Sequence, residues 1–237
     1  GELSQIWYKP RDLSAYKKVI HIGDIHGCYK PLKEYLEAIN PQNYYIFLGD
    51  YIDRGSENAE VLQLLLQLAA LDNVTLLEGN HEANLRDYGL ADGVASKEFR
   101  MQTAPELAQA GLSRKAVYNF YRKLSQCFCY TYQGKKVLVS HGGLARMPEN
   151  LSLVAAELIY GTGVYEDALD VDMSFAKHAA ANEYQVHGHR NYEGVPAEVN
   201  EHCFNLEGAV EMGGQLRALE LSEDGFVTKM IASNKLL

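Results

Sequence analysis

The sequence predicts an α/β fold with parallel strands, because strand and helix signals alternate through its first third. Apolar runs at 18–22, 44–48 and 74–77 indicate three buried strands, and segments of helical period at 29–39 and 57–71 separate them. Each of these strands ends in a polar, glycine-containing motif. Ligands of parallel sheets bind beyond the carboxyl ends of the strands, so the sequence predicts a functional site along that edge.

The first strand, Lys18–Ile22, is followed directly by GDIHG at residues 23–27. In the next segment, 29–39, apolar residues recur at spacings of three and four, which is typical of an amphipathic helix. Pro41 cannot continue a helix, so we expect this helix to end before it.

The second strand, 44–48, is followed by GDYIDRG at residues 49–55, where the flanking glycines permit a tight turn. A leucine-rich helix is predicted at 57–71. The third strand, 74–77, leads to GNHE at residues 79–82. The carboxylates and the guanidinium of the second motif should therefore meet the polar residues of the other two motifs at one edge of the sheet.

Residues 84–126 contain no strand signal and are rich in Ala, Glu, Lys, Arg and Leu, which predicts helices. Basic residues gather there among aromatic ones: Arg100, Arg114, Lys115, Arg122 and Lys123. One interpretation is an ordinary amphipathic surface whose aromatic residues face the core. The other is a helical cap insertion at 84–126, within a single domain that spans residues 1–237.

Strands dominate the second half of the chain. A hairpin is predicted around Gly134, and its second strand runs into SHGG at residues 140–143. A later strand leads to HGHR at residues 187–190. Residues 151–175 are mixed in composition and contain two glycines, so we expect a loop-rich segment there. Two or three further strands are predicted in the segments 203–206, 215–221 and 226–231.

Bulk composition limits the classes of function. With 237 residues, 47% of them hydrophobic, the chain can form one sizeable core, so a single domain is the simplest division. A formal net charge of −9 argues against tight, non-specific binding to long nucleic acid, which needs clustered Lys and Arg.

The four cysteines form no C-x-x-C pair, and a chain of this size needs no disulfides, so we expect reduced thiols and a cytoplasmic location. No apolar run reaches the ~18 residues of a membrane span, which predicts that the protein has no membrane partner. The chain begins with Gly1 rather than Met, which suggests a trimmed terminus or excision from a larger multidomain chain.

The residue types at the strand ends suit a pair of divalent metal ions. Such a pair needs hard oxygen ligands, imidazole nitrogens and one carboxylate able to bridge, and the motifs supply Asp, Asn and His. Two ions held close together can polarise phosphoryl oxygens and deprotonate a shared water near neutral pH. We therefore interpret this edge of the sheet as a two-metal phosphoesterase site.

In their order along the chain, GDIHG, GDYIDRG, GNHE, SHGG and HGHR resemble the motifs of calcineurin-like metallophosphoesterases of the phosphoprotein-phosphatase branch. The resemblance runs from about Val19 to Leu221. Within that branch, the chain is similar to bacterial Ser/Thr protein phosphatases and to the phosphatase module of bacterial polynucleotide kinase-phosphatase. The resemblance implies a β-sandwich flanked by helices, in four layers ordered α/β/β/α.

The resemblance also implies the metal ligands. Asp24 and His26 would bind the first ion, and Asp50 would bridge both ions. Three residues would complete the second site: Asn80, His141 and His189. We choose His189 over His187 because the ligand of the related pattern follows the glycine directly. Manganese is the expected metal, with iron, zinc and nickel as alternatives.

By the same resemblance, three residues would carry the catalytic chemistry. Arg54 would clamp the phosphate, for which a planar guanidinium is suited, and its alternative is a surface ion pair with Asp53. His81 would be the general acid that protonates the leaving oxygen, with Asp53 orienting the ring and raising its pKa. Asn80 would join Arg54 and His81 in binding the substrate. Glu82 is expected to make hydrogen bonds around the site.

Two residues depart from the family pattern. Arg190 follows His189 where Thr-Pro is usual in bacterial members, and Glu207 stands where Asp is common. We expect both changes to lie at the rim of the site, where they would leave the metal ligands intact and alter the choice of substrate.

The resulting hypothesis is a metal-dependent phosphatase that hydrolyses phosphomonoesters by attack of a hydroxide that bridges the two metals. Its substrates would be phosphoproteins that carry phosphoserine or phosphothreonine, or nucleic-acid ends. A first alternative is hydrolysis of dinucleoside polyphosphates such as diadenosine tetraphosphate. A second alternative, of another class, is a phosphate-binding scaffold without catalysis, against which Asp53, Arg54 and His81 argue.

Overall fold

A computed structural model describes residues 9–149, 155–192 and 194–233 of the chain. Within these ranges, strands form two five-stranded sheets. The strands are β1 (Arg11–Asp12), β2 (Lys18–Ile22), β3 (Asn43–Phe47), β4 (Val74–Leu76), β5 (Cys127–Tyr132), β6 (Lys135–Ser140), β7 (Glu183–His187), β8 (Cys203–Asn205), β9 (Gln215–Ser222) and β10 (Gly225–Ala232).

Sheet I has the strand order β10-β9-β2-β3-β4, and sheet II has the order β1-β5-β6-β7-β8. In sheet I, β2, β3 and β4 are parallel, while β9 pairs antiparallel with β2 and with β10. In sheet II, β6, β7 and β8 are parallel, and β5 pairs antiparallel with β6. The parallel strands therefore bring their carboxyl ends, with the predicted motifs, to one edge of each sheet.

The residues of β3 show why both faces of sheet I are covered. Tyr44 and Ile46 belong to the core between the two sheets, whereas Tyr45 and Phe47 belong to the core beneath the helices. Successive side chains of a strand point to opposite faces, so an uninterrupted apolar run is stable only with a packed layer on each side.

Helices cover the outer faces of the two sheets. In the described ranges they are α1 (Tyr29–Leu36), α2 (Asn58–Leu68), α3 (Glu82–Gly89), α4 (Ala104–Gln109), α5 (Arg114–Tyr121), α6 (Ala155–Tyr160) and α7 (Ala168–His178). None of them is both long and apolar enough to span a membrane. Leu32 of α1 and Leu62 of α2 pack into the core on sheet I, and Leu158 of α6 packs against Leu138 of β6. The predicted four-layer α/β/β/α fold is thereby confirmed.

The C-terminal half differs from expectation in one segment. Residues 151–175 were expected to be loop-rich, but their described part contains α6 and the start of α7, whereas 151–154 lie outside the described ranges. In α7, Val171 and Phe175 form a buried stripe of helical spacing, and Asp172 is buried beside them. A buried carboxylate interrupts the apolar pattern, so hydrophobic periodicity alone does not reveal this helix.

Residues 84–126 are helical, as the composition predicts. They contain most of α3, a π-helical segment at Phe99–Thr103, and helices α4 and α5. Their apolar residues, including Phe99 and Phe120, pack into the same core as α1 and α2. The function of this segment as a cap, and the division of the chain into one domain with an insertion, stay predictions.

A histidine connects the two sheets in the middle of their shared core. His21 of β2 is fully buried; its Nδ1–H donates to the main-chain oxygen of Leu219 on β9 at 2.8 Å, and Nε2 accepts from the hydroxyl of Tyr130 on β5 at 2.7 Å. The carbonyl oxygen can only accept, which assigns the tautomer. Burial lowers the pKa of His21 to about 4.

We expect acid to destabilise the fold through His21. The unfolded chain binds a proton at this histidine below its ordinary pKa of 6.5, whereas the folded chain resists protonation until about pH 4. This contribution to stability is therefore complete above pH 6.5 and is lost as the pH falls toward 4, by about 1.4 kcal/mol per pH unit.

Urea unfolding of the wild type and of His21→Gln at about pH 7, 6 and 5 measures this effect. The glutamine keeps a donor and an acceptor but cannot titrate, so its free energy of unfolding should fall less than that of the wild type. If the free energies of unfolding of the two proteins fell equally with pH, the lowered pKa of His21 would be contradicted.

Candidate active site

The motif loops of sheet I are fastened together through the main chain. The N–H groups of Ile25 and His26, after β2, donate to the main-chain oxygen of Asp50, after β3, at 3.0 and 2.9 Å. These two bonds place the GDIHG and GDYIDRG motifs side by side, as their positions at neighbouring parallel strands predict.

The motif loops of sheet II are joined in the same way and reach across to sheet I. The N–H of Gly188, after β7, donates to the main-chain oxygen of His141, after β6, at 2.9 Å. The N–H of His189 then donates to the Asp24 carboxylate at 3.2 Å. The polar motifs of both sheets therefore form one cluster at the edge of the sandwich.

Several residues of this cluster have a left-handed backbone conformation, which non-glycine residues rarely adopt. They are His26 (φ 44°), Asp50 (φ 55°), Asp53 (φ 74°), Arg54 (φ 71°) and His189 (φ 66°). Such conformations cost about 1–3 kcal/mol each and persist only where surrounding contacts hold them. The motif loops contain several such residues. This indicates that the direction of their side chains into the cluster is maintained at the expense of backbone stability.

Gly49 allows the second and third motif loops to approach each other closely. Its φ is +104°, and a Cβ at this position would lie 2.5 Å from the nitrogen of Gly79 and 3.0 Å from Nδ1 of His141. A side chain would therefore push GNHE and SHGG away from GDYIDRG.

The side-chain oxygen of Asn80 marks one point where ligand atoms converge. It lies 3.1 Å from Oδ2 of Asp50, 3.1 Å from Nδ1 of His189 and 3.2 Å from Nε2 of His141. Either the amide turns its NH2 group toward these atoms or a cation lies among them. The second arrangement uses all of these atoms as ligands of one ion.

Two histidines have the tautomer that a metal ligand needs. Nδ1–H of His141 donates to the main-chain oxygen of Leu48 at 2.9 Å, and Nδ1–H of His26 donates to that of Ile52 at 3.0 Å. A carbonyl oxygen accepts only, so the proton lies on Nδ1 in both rings. The lone pair of Nε2 is then directed into the cluster.

A second group of ligand atoms lies beside the first and shares Asp50 with it. Nε2 of His26 lies 3.6 Å from Oδ2 of Asp50 and 3.9 Å from Oδ2 of Asp24. All three side chains are buried. Burial and the carboxylates of Glu207 and Asp50 raise the pKa of Asp24, as expected when acidic groups crowd together without a cation. The donor types and the shared carboxylate thus fit a pair of divalent ions.

Asp53, which is buried, and His81, which is partly exposed, form a pair beside these groups. Nδ1–H of His81 donates to Oδ2 of Asp53 at 2.8 Å, and Asp53 also accepts from the Asn84 amide at 3.0 Å and from the Thr103 hydroxyl. Burial opposes a charged ring, but the hydrogen bond to Asp53 outweighs it and raises the pKa of His81 to about 9. The ring is therefore fixed in orientation and protonated near neutral pH.

Arg54 extends toward solvent, and its side chain is 48% exposed. Nη1 lies 3.5 Å from Oε1 of Glu211, and Nε lies 4.0 Å from Oε1 of Glu98. The sequence left open an ion pair between Arg54 and Asp53. In the structure Arg54 pairs with Glu211 and Glu98 instead, because Asp53 faces His81.

A cavity of about 240 Å³ opens over the two groups of ligand atoms. Arg54 and His81 line it, together with Tyr165, Asn191 and Met212 from the second half of the chain. Sequence reasoning missed these last three residues. They lie outside the motifs, and no local pattern distinguishes them from other surface residues.

The family model of the calcineurin-like phosphoesterases matches residues 17–200. The chain belongs to this family. It is accordingly a hydrolase that acts on phosphoric ester bonds, and the family together with the converging ligand atoms supports the binding of divalent metal ions.

Individual relatives of this phosphoesterase agree with the match. The asymmetrical bis(5'-nucleosyl)-tetraphosphatase PrpE of Oceanobacillus iheyensis is 25% identical over 235 residues, covering 89% of this chain and 91% of that protein. The PP2A-like serine/threonine-protein phosphatase PPG1 of Candida albicans is 36% identical over 100 residues, covering 40% of this chain and 24% of that protein. The predicted resemblance to the phosphoprotein-phosphatase branch is confirmed.

A solved structure shows the same fold. The structure of a protein serine/threonine phosphatase from Saccharomyces cerevisiae superposes with a TM-score of 0.64 at 16% identity, covering 95% of this chain and 82% of that chain. At this identity the likeness concerns the fold alone.

Two residues of the phosphoesterase that were expected at the rim are buried instead. Arg190 has no exposed surface, and its Nη2–H donates to the main-chain oxygens of Thr162 and Tyr160. Glu207 is 6% exposed, and its Oε2 lies 3.9 Å from Nε2 of His26. The expectation was wrong because both residues follow strands of sheet II whose ends lie inside the cluster.

The two histidines of HGHR have different partners. Nε2–H of His187 donates to the carboxylate of Asp172 on α7 at 3.0 Å, away from the cluster. His189 faces Asn80. Burial and His141 lower the pKa of His189 to about 3, so its ring is neutral and can act as a ligand.

Glu82 fastens the second and third motif loops, in line with its expected hydrogen bonds around the site. The side chain is fully buried. Its Oε1 accepts from the N–H groups of Asp50 at 2.6 Å and Gly79 at 2.8 Å, and its Oε2 accepts from the N–H of Tyr51 at 3.2 Å. One carboxylate thus satisfies main-chain donors of two loops.

Removal of this carboxylate should destabilise the protein. Glu82→Ala leaves three buried N–H groups without their acceptor. Each such group costs about 1–3 kcal/mol, so the free energy of unfolding should fall by at least ~3 kcal/mol. Glu82→Gln, which keeps one acceptor oxygen, is the matched control and should lose less. In urea unfolding, a loss under ~1 kcal/mol for the alanine variant would show that water replaces the carboxylate.

Proposed function

We propose that this phosphoesterase is a phosphomonoester phosphatase that uses two divalent metal ions. Asp24 and His26 would hold the first ion, and Asp50 would bridge the two. The remaining ligands would be Asn80, His141 and His189. The observation that carries this proposal is the convergence of Asn80, Asp50 and both histidine rings on one point, where a cation would be held by all four side chains.

When bound, two divalent ions would polarise the phosphoryl oxygens and supply an activated water as the nucleophile. Manganese suits the mixed set of carboxylate, amide and imidazole ligands, and iron, zinc and nickel are alternatives for the same set. The main-chain bonds of Asp50 to Ile25 and His26 support the site because they hold the bridging carboxylate in place.

Arg54 would bind the phosphoryl group. Its guanidinium lines the cavity over the ligand groups, and its ion pairs with Glu211 and Glu98 keep the long side chain extended there. A planar guanidinium can donate two parallel hydrogen bonds to phosphoryl oxygens and can stabilise the charge that develops on them. Asn80 and His81 line the same cavity.

His81 would donate the proton that the leaving oxygen needs. Its Nδ1 is engaged by Asp53, so Nε2–H is the ring donor left for the substrate. Asp53 favours the protonated ring and fixes its plane, which is the task of a residue that orients a general acid.

Phosphoproteins that carry phosphoserine or phosphothreonine, and nucleic-acid ends, are the proposed substrates. The similarity to serine/threonine-protein phosphatases over part of the chain supports the first class. A second candidate is asymmetrical hydrolysis of dinucleoside tetraphosphates. It is favoured by one observation: the similarity to PrpE extends over nearly the whole of both chains.

A panel of substrates tests the proposal and separates its alternatives. With Mn²⁺ present, we expect kcat/KM for a phosphothreonine peptide or a 3'-phosphate oligonucleotide to exceed that for diadenosine tetraphosphate by about tenfold or more. Asp50→Asn and excess chelator should each abolish turnover of every substrate. The substitution removes the proposed bridging ligand, and the chelator removes the metal ions. Preference for the tetraphosphate would establish the second candidate, and no turnover with any divalent metal would establish the inactive scaffold.

Substrates whose leaving groups differ in their need for a proton test the role of His81 as general acid. His81→Ala should lower kcat for an alkyl phosphate, whose leaving oxygen needs a proton, by about 10²–10⁴-fold. The loss on p-nitrophenyl phosphate should be much smaller, because nitrophenolate leaves without protonation. Asp53→Asn should show the same trend more weakly. Equal losses on both substrates would show that His81 binds substrate without transferring a proton.

A further inference from the structure

Glu207 lies inside the first group of ligand atoms, although the ligand set implied by the family resemblance does not include it. Oε2 of Glu207 lies 3.9 Å from Nε2 of His26, which is also the distance of Asp24 Oδ2 from that nitrogen. Ligand atoms of Asp24, His26 and Glu207 all lie within 4.8 Å of one another, and all three residues are buried. Glu207 is therefore as close to the ring nitrogen as a residue assigned to the site.

These separations suit ligands of one ion better than direct hydrogen bonds. Hydrogen bonds between nitrogen and oxygen are about 2.7–3.2 Å long, so 3.9 Å is too far for one. Two ligands of an ion whose bonds are about 2.1 Å long can lie up to about 4.2 Å apart. Nε2 of His26 faces carboxylate oxygens of three residues, an arrangement that suits a cation held among these atoms.

The guanidinium of Arg217 interacts electrostatically with Glu207, but its Nη groups bond to main-chain oxygens. Arg217 directs its Nη1–H to the main-chain oxygen of Asn205 at 3.1 Å and its Nη2–H to that of Val195 at 2.8 Å. Among the described residues, His26 is the only basic group that forms an ion pair with Glu207 within 4 Å. The carboxyl groups of Asp24 and Glu207 lie close enough to hydrogen-bond to each other, and a cation between them would allow both to be ionised.

The side chain of Glu207 is also held in position. Its Oε1 accepts from the N–H of Ala209 at 2.7 Å, which leaves Oε2 directed toward His26. Its main chain is fixed at both ends: the N–H donates to Oδ1 of Asn205 at 3.0 Å, and the oxygen accepts from the amide of Asn191 at 2.7 Å. A ligand held this way needs no rearrangement to bind an ion.

We propose that Glu207 is a direct ligand of the first metal ion, beside Asp24, His26 and Asp50. This inference rests on the dinuclear site of the proposed function and extends it. The first ion then has three carboxylates and one imidazole, whereas the second has one shared carboxylate, one amide and two imidazoles. The first position becomes the harder of the two and should favour Mn²⁺ and Mg²⁺ over metals that prefer nitrogen.

Metal titration of the whole chain, without substrate, tests the assignment. Isothermal titration with Mn²⁺ should give two ions per chain for the wild type. In Glu207→Ala and in the isosteric Glu207→Gln, one of the two affinities should fall by about tenfold or more while the other stays within about twofold. His141→Ala should weaken the opposite affinity, and Glu211→Gln, which alters a carboxylate of the same cavity outside the ligand groups, should weaken neither.

The outcomes separate this inference from the proposed function. If the wild type binds no pair of ions, the proposed function fails. If it binds two and both Glu207 variants bind them equally well, only the role of Glu207 fails. If a thermal melt shows that Glu207→Ala is unfolded, the metal titration of Glu207→Gln decides the outcome.

A crystal grown with Mn²⁺ gives a direct reading. An anomalous peak about 2.1–2.2 Å from Oε2 of Glu207 is expected. A water molecule between that peak and Oε2 would contradict direct coordination of the ion by Glu207.

Discussion

The structure depends on the position of Asp50. Its main-chain oxygen accepts two N–H bonds from the GDIHG loop, its N–H donates to Glu82, and its carboxylate lies 3.1 Å from Nε2 of His141. It thereby connects three loops of sheet I with one loop of sheet II. Its φ of 55° is unfavourable for a residue with a side chain, so the surrounding bonds must hold it. A carboxylate held so firmly is in position to bridge two metal ions, as the proposed function requires.

Local signals could predict the order of elements and most of the candidate site, for a physical reason. In a parallel sheet the carboxyl ends of all strands lie at the same edge. The position of a motif that directly follows a strand can therefore be predicted from the sequence. Asp24 and Asp50 are of this kind. Arg190 and Glu207 also follow strands, but whether they face inward depends on the pairing of β7 with β8 and on the loop between β8 and β9. Those are long-range contacts, and no local pattern reports them. The same holds for α7, where the partner of Asp172 is His187 on another element.

The helical segment 84–126 supports the site through hydrogen bonds to Asn58 and Asp53 and through the ion pair of Glu98 with Arg54. Glu106 of α4 accepts from the N–H and the side-chain amide of Asn58, at 2.9 and 3.0 Å, and Oδ1 of Asn58 accepts from the N–H of Asp53 at 2.8 Å. Thr103 donates directly to the carboxylate of Asp53. Among the described residues that line the cavity, none comes from this segment. The segment can therefore affect catalysis through the orientation of Asp53, His81 and Arg54.

The candidate ligands are divided between the two sheets, which couples metal binding to the packing of the sandwich. Asp24, His26, Asp50 and Asn80 follow strands of sheet I, whereas His141 and His189 follow strands of sheet II. Separation of the sheets would pull the two sets apart. Because the unfolded chain has no such arrangement, the free energy of binding the proposed two ions would add to the free energy that holds the sheets together. Bound ions would offset the strain and the crowding of acidic groups at this edge, so the residues that weaken the metal-free fold would strengthen the metal-bound one.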